Sequence, residues 1–162
     1  MGKATVSNIV RETCDTIWTA LNKTYVKTPK SPEEWKKIAD GFEKEWDFRH
    51  CLGAIDGKHI MIECSKNAGS AYYNYKSFHS IVLLAICDAN YCFTFVDIGD
   101  YGSTNDASVL SNSVFGQAFD KGPVSMKTPS PCGYRNIENL PFVLIGDDIF
   151  PTKELADEAL SW

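Results

Sequence analysis

The sequence predicts an α/β fold, two helices followed by a core of order β-β-β-α-β-α, and three observations predict it. Apolar residues recur at helical spacing up to residue 46, the pattern changes to β-branched, strand-like runs from Cys51 onward, and a helical stretch after residue 104 separates three such runs from a fourth. The order implies a helical segment over residues 1–47 and the α/β core over 48–162.

At 162 residues, 44% hydrophobic and 23% charged, the chain is long enough for one domain with a substantial core. No apolar run approaches a membrane span, and the N-terminus lacks the charged start and apolar stretch of a signal peptide, so an intracellular, soluble protein with no membrane partner is expected. The net charge of −5 is the wrong sign for a free-standing DNA-binding module. It leaves a nuclease open, because acidic metal ligands lower the charge and basic contacts can reside in another region or partner. The six cysteines form no CxxC pair, which argues against a zinc ribbon, and reduced thiols are expected, although Cys87 and Cys92 flank a turn and could face one another. The three histidines lack the HxxxH spacing of a helix-borne zinc site.

In the first helix, predicted over residues 5–21, Val6, Ile9, Val10, Thr13, Ile17 and Leu21 fall on one stripe. After a break at residues 27–31, Ser31 is suited to an N-cap, Pro32 to the first helical position and Glu34 to a capping box. Trp35, Ile38, Ala39, Phe42 and Trp46 form the stripe of this second helix. The two helices could make a small helical domain or pack onto the later part of the chain, and their aromatic content favours docking on a larger core.

The first strand is predicted over 52–63, with a turn at 67–70. Residues 81–87 are continuously apolar, as in a strand covered on both faces, and a turn at Asp88, Ala89 and Asn90 leads into a third strand over 91–98. Asn105 or Asp106 then starts a single helix carrying Val109, Leu110, Val114, Phe115 and Phe119. Residues 121–141 read as an irregular connection, 142–145 as the fourth strand, and 152–162 as a closing helix. Three strands, a crossover helix and a fourth strand open the ribonuclease H-like fold, here C-terminally incomplete. A right-handed crossover can set the fourth strand parallel to the first, about 5 Å away. In the inferred order 3-2-1-4-5, a missing fifth strand leaves the fourth as an unpaired edge and makes the chain prone to association.

This topology singles out two acids. Asp56 comes at the end of an apolar run and Asp147 or Asp148 at the end of another, and a carboxylate beside a buried strand is costly unless it binds metal or is paired. Adjacent strand residues point to opposite faces, so one of Asp147 and Asp148 joins Asp56, and parity alone does not choose. Asp56 before Gly57 also reads as an ordinary turn pair, and Asp106 as a helix cap. Residues 71–79 mix aromatics, Lys76 and His79; beside the plain reading of a connection, Tyr75, Lys76, His79 and Lys58 are candidate nucleic-acid contacts, and His59 could touch phosphate.

These residues carry a resemblance. Gly53-Ala-Ile-Asp56-Gly-Lys-His59, Tyr73-Asn-Tyr-Lys76 with His79-Ser80, Val96-Asp-Ile-Gly99 and Gly146-Asp147-Asp-Ile-Phe-Pro151 are similar, in order, to blocks of the Harbinger/PIF-type DDE transposases and the nuclease-like proteins derived from them. The resemblance implies a ribonuclease H-like DNA endonuclease core in which two aspartates and a glutamate bind divalent metal, Mg2+ or Mn2+. It makes Asp56 the first acid and Asp147, directly after glycine, the second, with Asp148 an accompanying acid. It further implies DNA as partner, a separate DNA-binding protein partner, and a location in the nucleus, with the cytoplasm a further possibility.

The third acid of that pattern has no counterpart up to Trp162, and Glu154, Asp157 and Glu158 come too soon after the second acid to replace it. The expectation is therefore a truncated core with weak metal binding and low turnover. The alternative is a domesticated, non-catalytic module that binds protein or DNA. A phosphotransfer enzyme using Asp56 as nucleophile is disfavoured, since no Asp-x-Asp pair or phosphate loop accompanies it.

Overall fold

The computed structural model describes residues 2–64, 69–120 and 142–150. The expected connection over 121–141, the closing helix over 152–162, Cys132 and the three late acids lie outside these residues. The elements are α1 (Lys3–Tyr25), α2 (Pro32–Trp46), β1 (Cys51–Met61), β2 (Ser80–Cys87), β3 (Phe93–Tyr101), α3 (Asp106–Asn112), α4 (Val114–Asp120) and β4 (Val143–Ile145).

The fold is mixed α/β, built on a four-stranded mixed sheet of order β3-β2-β1-β4. β1 pairs antiparallel with β2, placing Asp56 opposite Ala85 and Gly57 opposite Leu84. The turn at Asp88–Cys92 folds β3 back along β2, because the Asp88 carboxylate accepts from the backbone N–H groups of Asn90 and Cys92, each at 2.9 Å. β4 lies parallel to β1, with Ala54 opposite Ile145.

Alternation along the strands separates two faces. Ile55, Val82, Leu84 and Ile86 point to one face, where Trp35, Leu52, Val109 and Phe115 complete a buried core. Val82, Leu84 and Ile86 are fully buried there, whereas Ile81, Leu83 and Cys87 of the same strand keep partial exposure. β2 is thus fully covered on one face, where its unbroken apolar run suggested two.

The two N-terminal helices behave differently. Ser31 caps α2, its hydroxyl accepting from Glu34 N, while the Glu34 carboxylate accepts from Lys30 N at 2.6 Å. Trp35, Ala39 and Phe42 are buried against the sheet, and the half-exposed Trp46 donates its indole N–H to the Ala89 carbonyl. α1 has no buried residue, and its apolar stripe stands exposed. The expected docking on a larger core therefore holds for α2 and not, among the described residues, for α1.

The single helix expected after residue 104 is two. Ser113 is extended, at φ −67° and ψ 155°, and its hydroxyl donates to the Leu110 carbonyl while accepting from Gly116 N. One side chain thus closes α3 and opens α4, a local bond that apolar periodicity does not register. Cys87 and Cys92 are both free thiols, and the residue opposite Cys87 is Phe93.

Candidate functional site at the end of strand β4

Asp56 is the sixth residue of β1, exposed on the less covered face of the sheet. Its carboxylate accepts from the adjacent Gly57 N at 2.8 Å. Ala54 is level with Ile145, the last residue of β4, so Asp56 follows that pair by two residues along β1 and Asp147 follows it by two residues past the end of β4. Asp147 begins a turn: its carboxylate accepts from Ile149 N at 3.2 Å and its carbonyl from Phe150 N at 3.3 Å. Gly146 permits this close turn, since a Cβ there would lie 2.6 Å from the Phe150 ring and 3.0 Å from Ile55 Cγ2. Asp147 and Asp148 are also exposed, so the expected cost of burying these acids is largely avoided by leaving them in solvent.

The sequence points to Asp106 as a helix cap, and the structure gives that role to its neighbour. Asn105 is the N-cap of α3, its side-chain oxygen accepting from Ser108 N at 2.8 Å. The partly buried Asp106 carboxyl lies instead in the space that a side chain on Gly57 would occupy. Burial raises the pKa of Asp106 above the usual carboxylate range, the charges of Asp56 and Asp147 raise it further, and His59 and Lys76 oppose the rise. Asp56, Asp147, His59 and Lys76 thus all lie near enough to the Asp106 carboxyl to act on it through space. The signal in the sequence was Asn105: with a competent cap already present, the following acid is surplus to the helix terminus.

The basic side chains come from β1 and from the segment between β1 and β2. Buried Asn74 organises that segment: its amide oxygen accepts from Lys76 N and Phe78 N, and its amide nitrogen donates to Ser80 Oγ. Ser80 Oγ is also 2.9 Å from His59 Nδ1. The His59 ring meets Tyr75 edge-on at 5.5 Å, and Lys76 Nζ stands 5.2 Å from the same tyrosine ring. Of the candidate nucleic-acid contacts, Tyr75 and Lys76 thus border the acids, and Lys58 is exposed two residues beyond Asp56. His79 is bridged to Tyr73, the rings 5.2 Å apart.

Among the described residues, no group of three or more His, Cys, Asp or Glu side chains is gathered closely enough to hold a metal ion. The donors nonetheless suit a hard divalent cation in kind: the carboxylates of Asp56 and Asp147 are solvent-accessible oxygen ligands, and the gap at Gly57 holds a third carboxylate beside them. No described helix is long and apolar enough to cross a membrane.

Comparison with known proteins supplies the family. The chain is 30% identical over 122 residues to the Protein ALP1-like of Arabidopsis thaliana, a match covering 74% of this chain and 30% of that relative. The chain therefore spans about a third of the length of the curated relative it matches. No solved structure gives a significant match. The family model described as DDE superfamily endonuclease matches residues 55–156, a span that contains Asp56, Asp106 and Asp147, and the chain belongs to this family.

Proposed function

We propose that this chain is a transposase-derived, divalent-metal-dependent DNA endonuclease domain of the Harbinger type, with Asp56 and Asp147 as its acid pair. The observation that carries the reading is that each acid comes two residues after the Ala54–Ile145 pair that joins the parallel strands β1 and β4, within a family of endonucleases. The order β3-β2-β1-β4, with β4 parallel to β1, supports assignment to a ribonuclease H-like core.

Asp56 and Asp147 would hold Mg2+ or Mn2+, which suit oxygen ligands. When bound, such a cation supplies positive charge beside the scissile phosphate and makes a water molecule more acidic. The chain's own groups do the rest. Lys76, ordered by the Asn74 turn and lying beside Tyr75, is suited to contact a backbone phosphate, and exposed Tyr75 offers a face on which a base can stack. A second basic surface supports DNA as the substrate: Lys23, Lys27, Lys30 and Lys37 line a groove of about 790 Å³, accompanied by the acids Glu34 and Asp88. The net charge of −5 is thus unevenly distributed. A nuclear location and a separate DNA-binding partner accompany this reading as proposals.

The test is cleavage of supercoiled plasmid by the purified chain with Mg2+ or Mn2+, comparing wild type with Asp56→Ala and Asp147→Ala. Nicking that disappears in both variants supports the acid pair, and nicking that survives Asp56→Ala would come from a contaminant. DNA binding without metal-dependent cleavage by the wild type would assign the chain to the non-catalytic alternative.

A further inference from the structure

Ser80, at the start of β2, is 0% exposed, and its hydroxyl is closely enclosed. Asn74 Nδ2 donates to it at 2.8 Å, His59 Nδ1 lies 2.9 Å away, and a Cβ on Gly102 would collide with it. The direction of the Asn74 bond is fixed, because Oδ1 of the same amide already accepts from Lys76 N at 2.9 Å and Phe78 N at 3.2 Å. An amide turned the other way would set its NH2 group against two N–H donors.

The Ser80 oxygen therefore accepts from Asn74, and among the described residues its own hydrogen has one acceptor within reach, His59 Nδ1. A buried O–H without an acceptor is costly, so this bond assigns the tautomer of the histidine. In a neutral imidazole one ring nitrogen accepts and the other donates. Nδ1 is the acceptor here, and the ring hydrogen is held on Nε2, across the ring from Ser80. His59 is partly exposed, and among the described residues its Nε2 has no hydrogen-bond partner. The fold thus presents an oriented, uncharged N–H donor.

The surroundings of this donor say what it suits. The His59 ring meets Tyr75 edge-on at 5.5 Å, and Lys76 Nζ stands 5.2 Å from the same tyrosine ring, which is 80% exposed. One buried amide therefore places both donors, Lys76 through its backbone N–H and His59 through Ser80. Both side chains lie close to the acids, since they act through space on Asp106, as do Asp56 and Asp147. A phosphodiester offers acceptor oxygens to a neutral donor and a cation together, and its base has the Tyr75 face to stack on.

We propose that His59 is a second phosphate-binding residue of the site, donating its Nε2–H to a nonbridging oxygen of the DNA backbone, with the tautomer set by the Asn74–Ser80 relay. The proposal rests on the reading of DNA as the substrate and adds a contact that carries no charge. It gives the buried pair of Asn74 and Ser80 a role in recognition as well as in folding.

The experiment is fluorescence anisotropy of a labelled single-stranded oligonucleotide of mixed sequence, titrated with the 162-residue chain in metal chelator across a series of salt concentrations. It is run at about pH 8, above the titration range of free imidazole. His59→Phe keeps a ring beside Tyr75 and is expected to weaken binding by ~10-fold, the loss of one hydrogen bond to a charged group, without changing the slope of affinity against salt. His59→Gln, which still offers an N–H, should lose less. Lys76→Met is the reference, because removing a cation should lower the slope by about one. On the wild type, nitrogen-15 NMR of the imidazole, assigned against His59→Gln, should show the hydrogen on Nε2. Wild-type affinity in His59→Phe, or equal losses in the Phe and Gln variants, overturns the donor role and leaves DNA as the substrate. A salt slope lowered in His59→Phe as in Lys76→Met overturns the uncharged contact, and a hydrogen found on Nδ1 overturns the relay. No binding of the oligonucleotide by the wild type overturns this proposal together with the reading on which it rests.

Discussion

The two faces of the sheet are built from alternate residues of the same strands, yet they have different occupations. On one face Leu84 is 0% exposed, within a core closed by α2, α3 and α4. On the other, Ile98 of β3 is 52% exposed, and β1 presents Asp56 and Lys58 to solvent. Stability and chemistry are thereby assigned to opposite sides of one sheet. Burial of apolar area stabilises the closed face, and charge that would be too costly to bury is carried on the other. Asp106 and Gly57 are the exception, bringing an acid from the closed face to the edge of β1.

The contrast is tested most forcefully at the centre of the closed face. Leu84→Ala should destabilise by about 2–5 kcal/mol, the range for removing a buried leucine side chain and leaving a cavity. Urea denaturation followed by circular dichroism measures it, and a loss below about 1 kcal/mol would show that this face is not the core. Next comes the hub of the segment between β1 and β2. Asn74→Ala should cost about 1–3 kcal/mol in the same assay, because the N–H groups of Lys76 and Phe78 lose their acceptor. It should also weaken DNA binding at low salt, by freeing Lys76 from its fixed place. On the less covered face little should change: Ile98→Thr should alter stability by within about 0.5 kcal/mol. A large loss there would mean that this face is packed against something in solution.

Thiol reactivity probes the same contrast without a substitution. Burial, the largest influence, raises the Cys51 pKa above that of an ordinary thiol, whereas Cys14 and Cys92 are exposed. At pH 8 in native buffer, iodoacetamide should label Cys14 and Cys92 and spare Cys51 until the chain is unfolded, with peptide mass spectrometry as the readout. Because the folded-state pKa is raised, the contribution of Cys51 is fully present below the ordinary thiol value. It is lost as pH climbs through the raised one, so alkaline conditions should erode stability.

Much of the architecture was legible in local pattern. The Ser31, Pro32 and Glu34 signal marked the start of α2, the change from helical spacing to β-branched runs marked the sheet, and the turn at Asp88 announced the hairpin. Each depends on neighbours a few residues apart. The helix break at Ser113 was also local, but it comes from one hydroxyl bonding in two directions, which no apolar periodicity reports. The fate of α1 was not legible, because an amphipathic stripe shows that a helix has a face to cover without saying what covers it.

Residue chemistry and short-range spacing were enough to set the element types, the candidate pair Asp56 and Asp147, and the mixture of aromatic and basic residues before β2. It took the packed molecule to reveal that Asp106 lies over Gly57, that Asn74 orders Lys76, and which face of the sheet is closed. An acid in a helix cap and an acid lying over a distant strand look the same along the chain. They become distinguishable only when parallel pairing and helix packing bring remote backbones within a side chain's reach of each other.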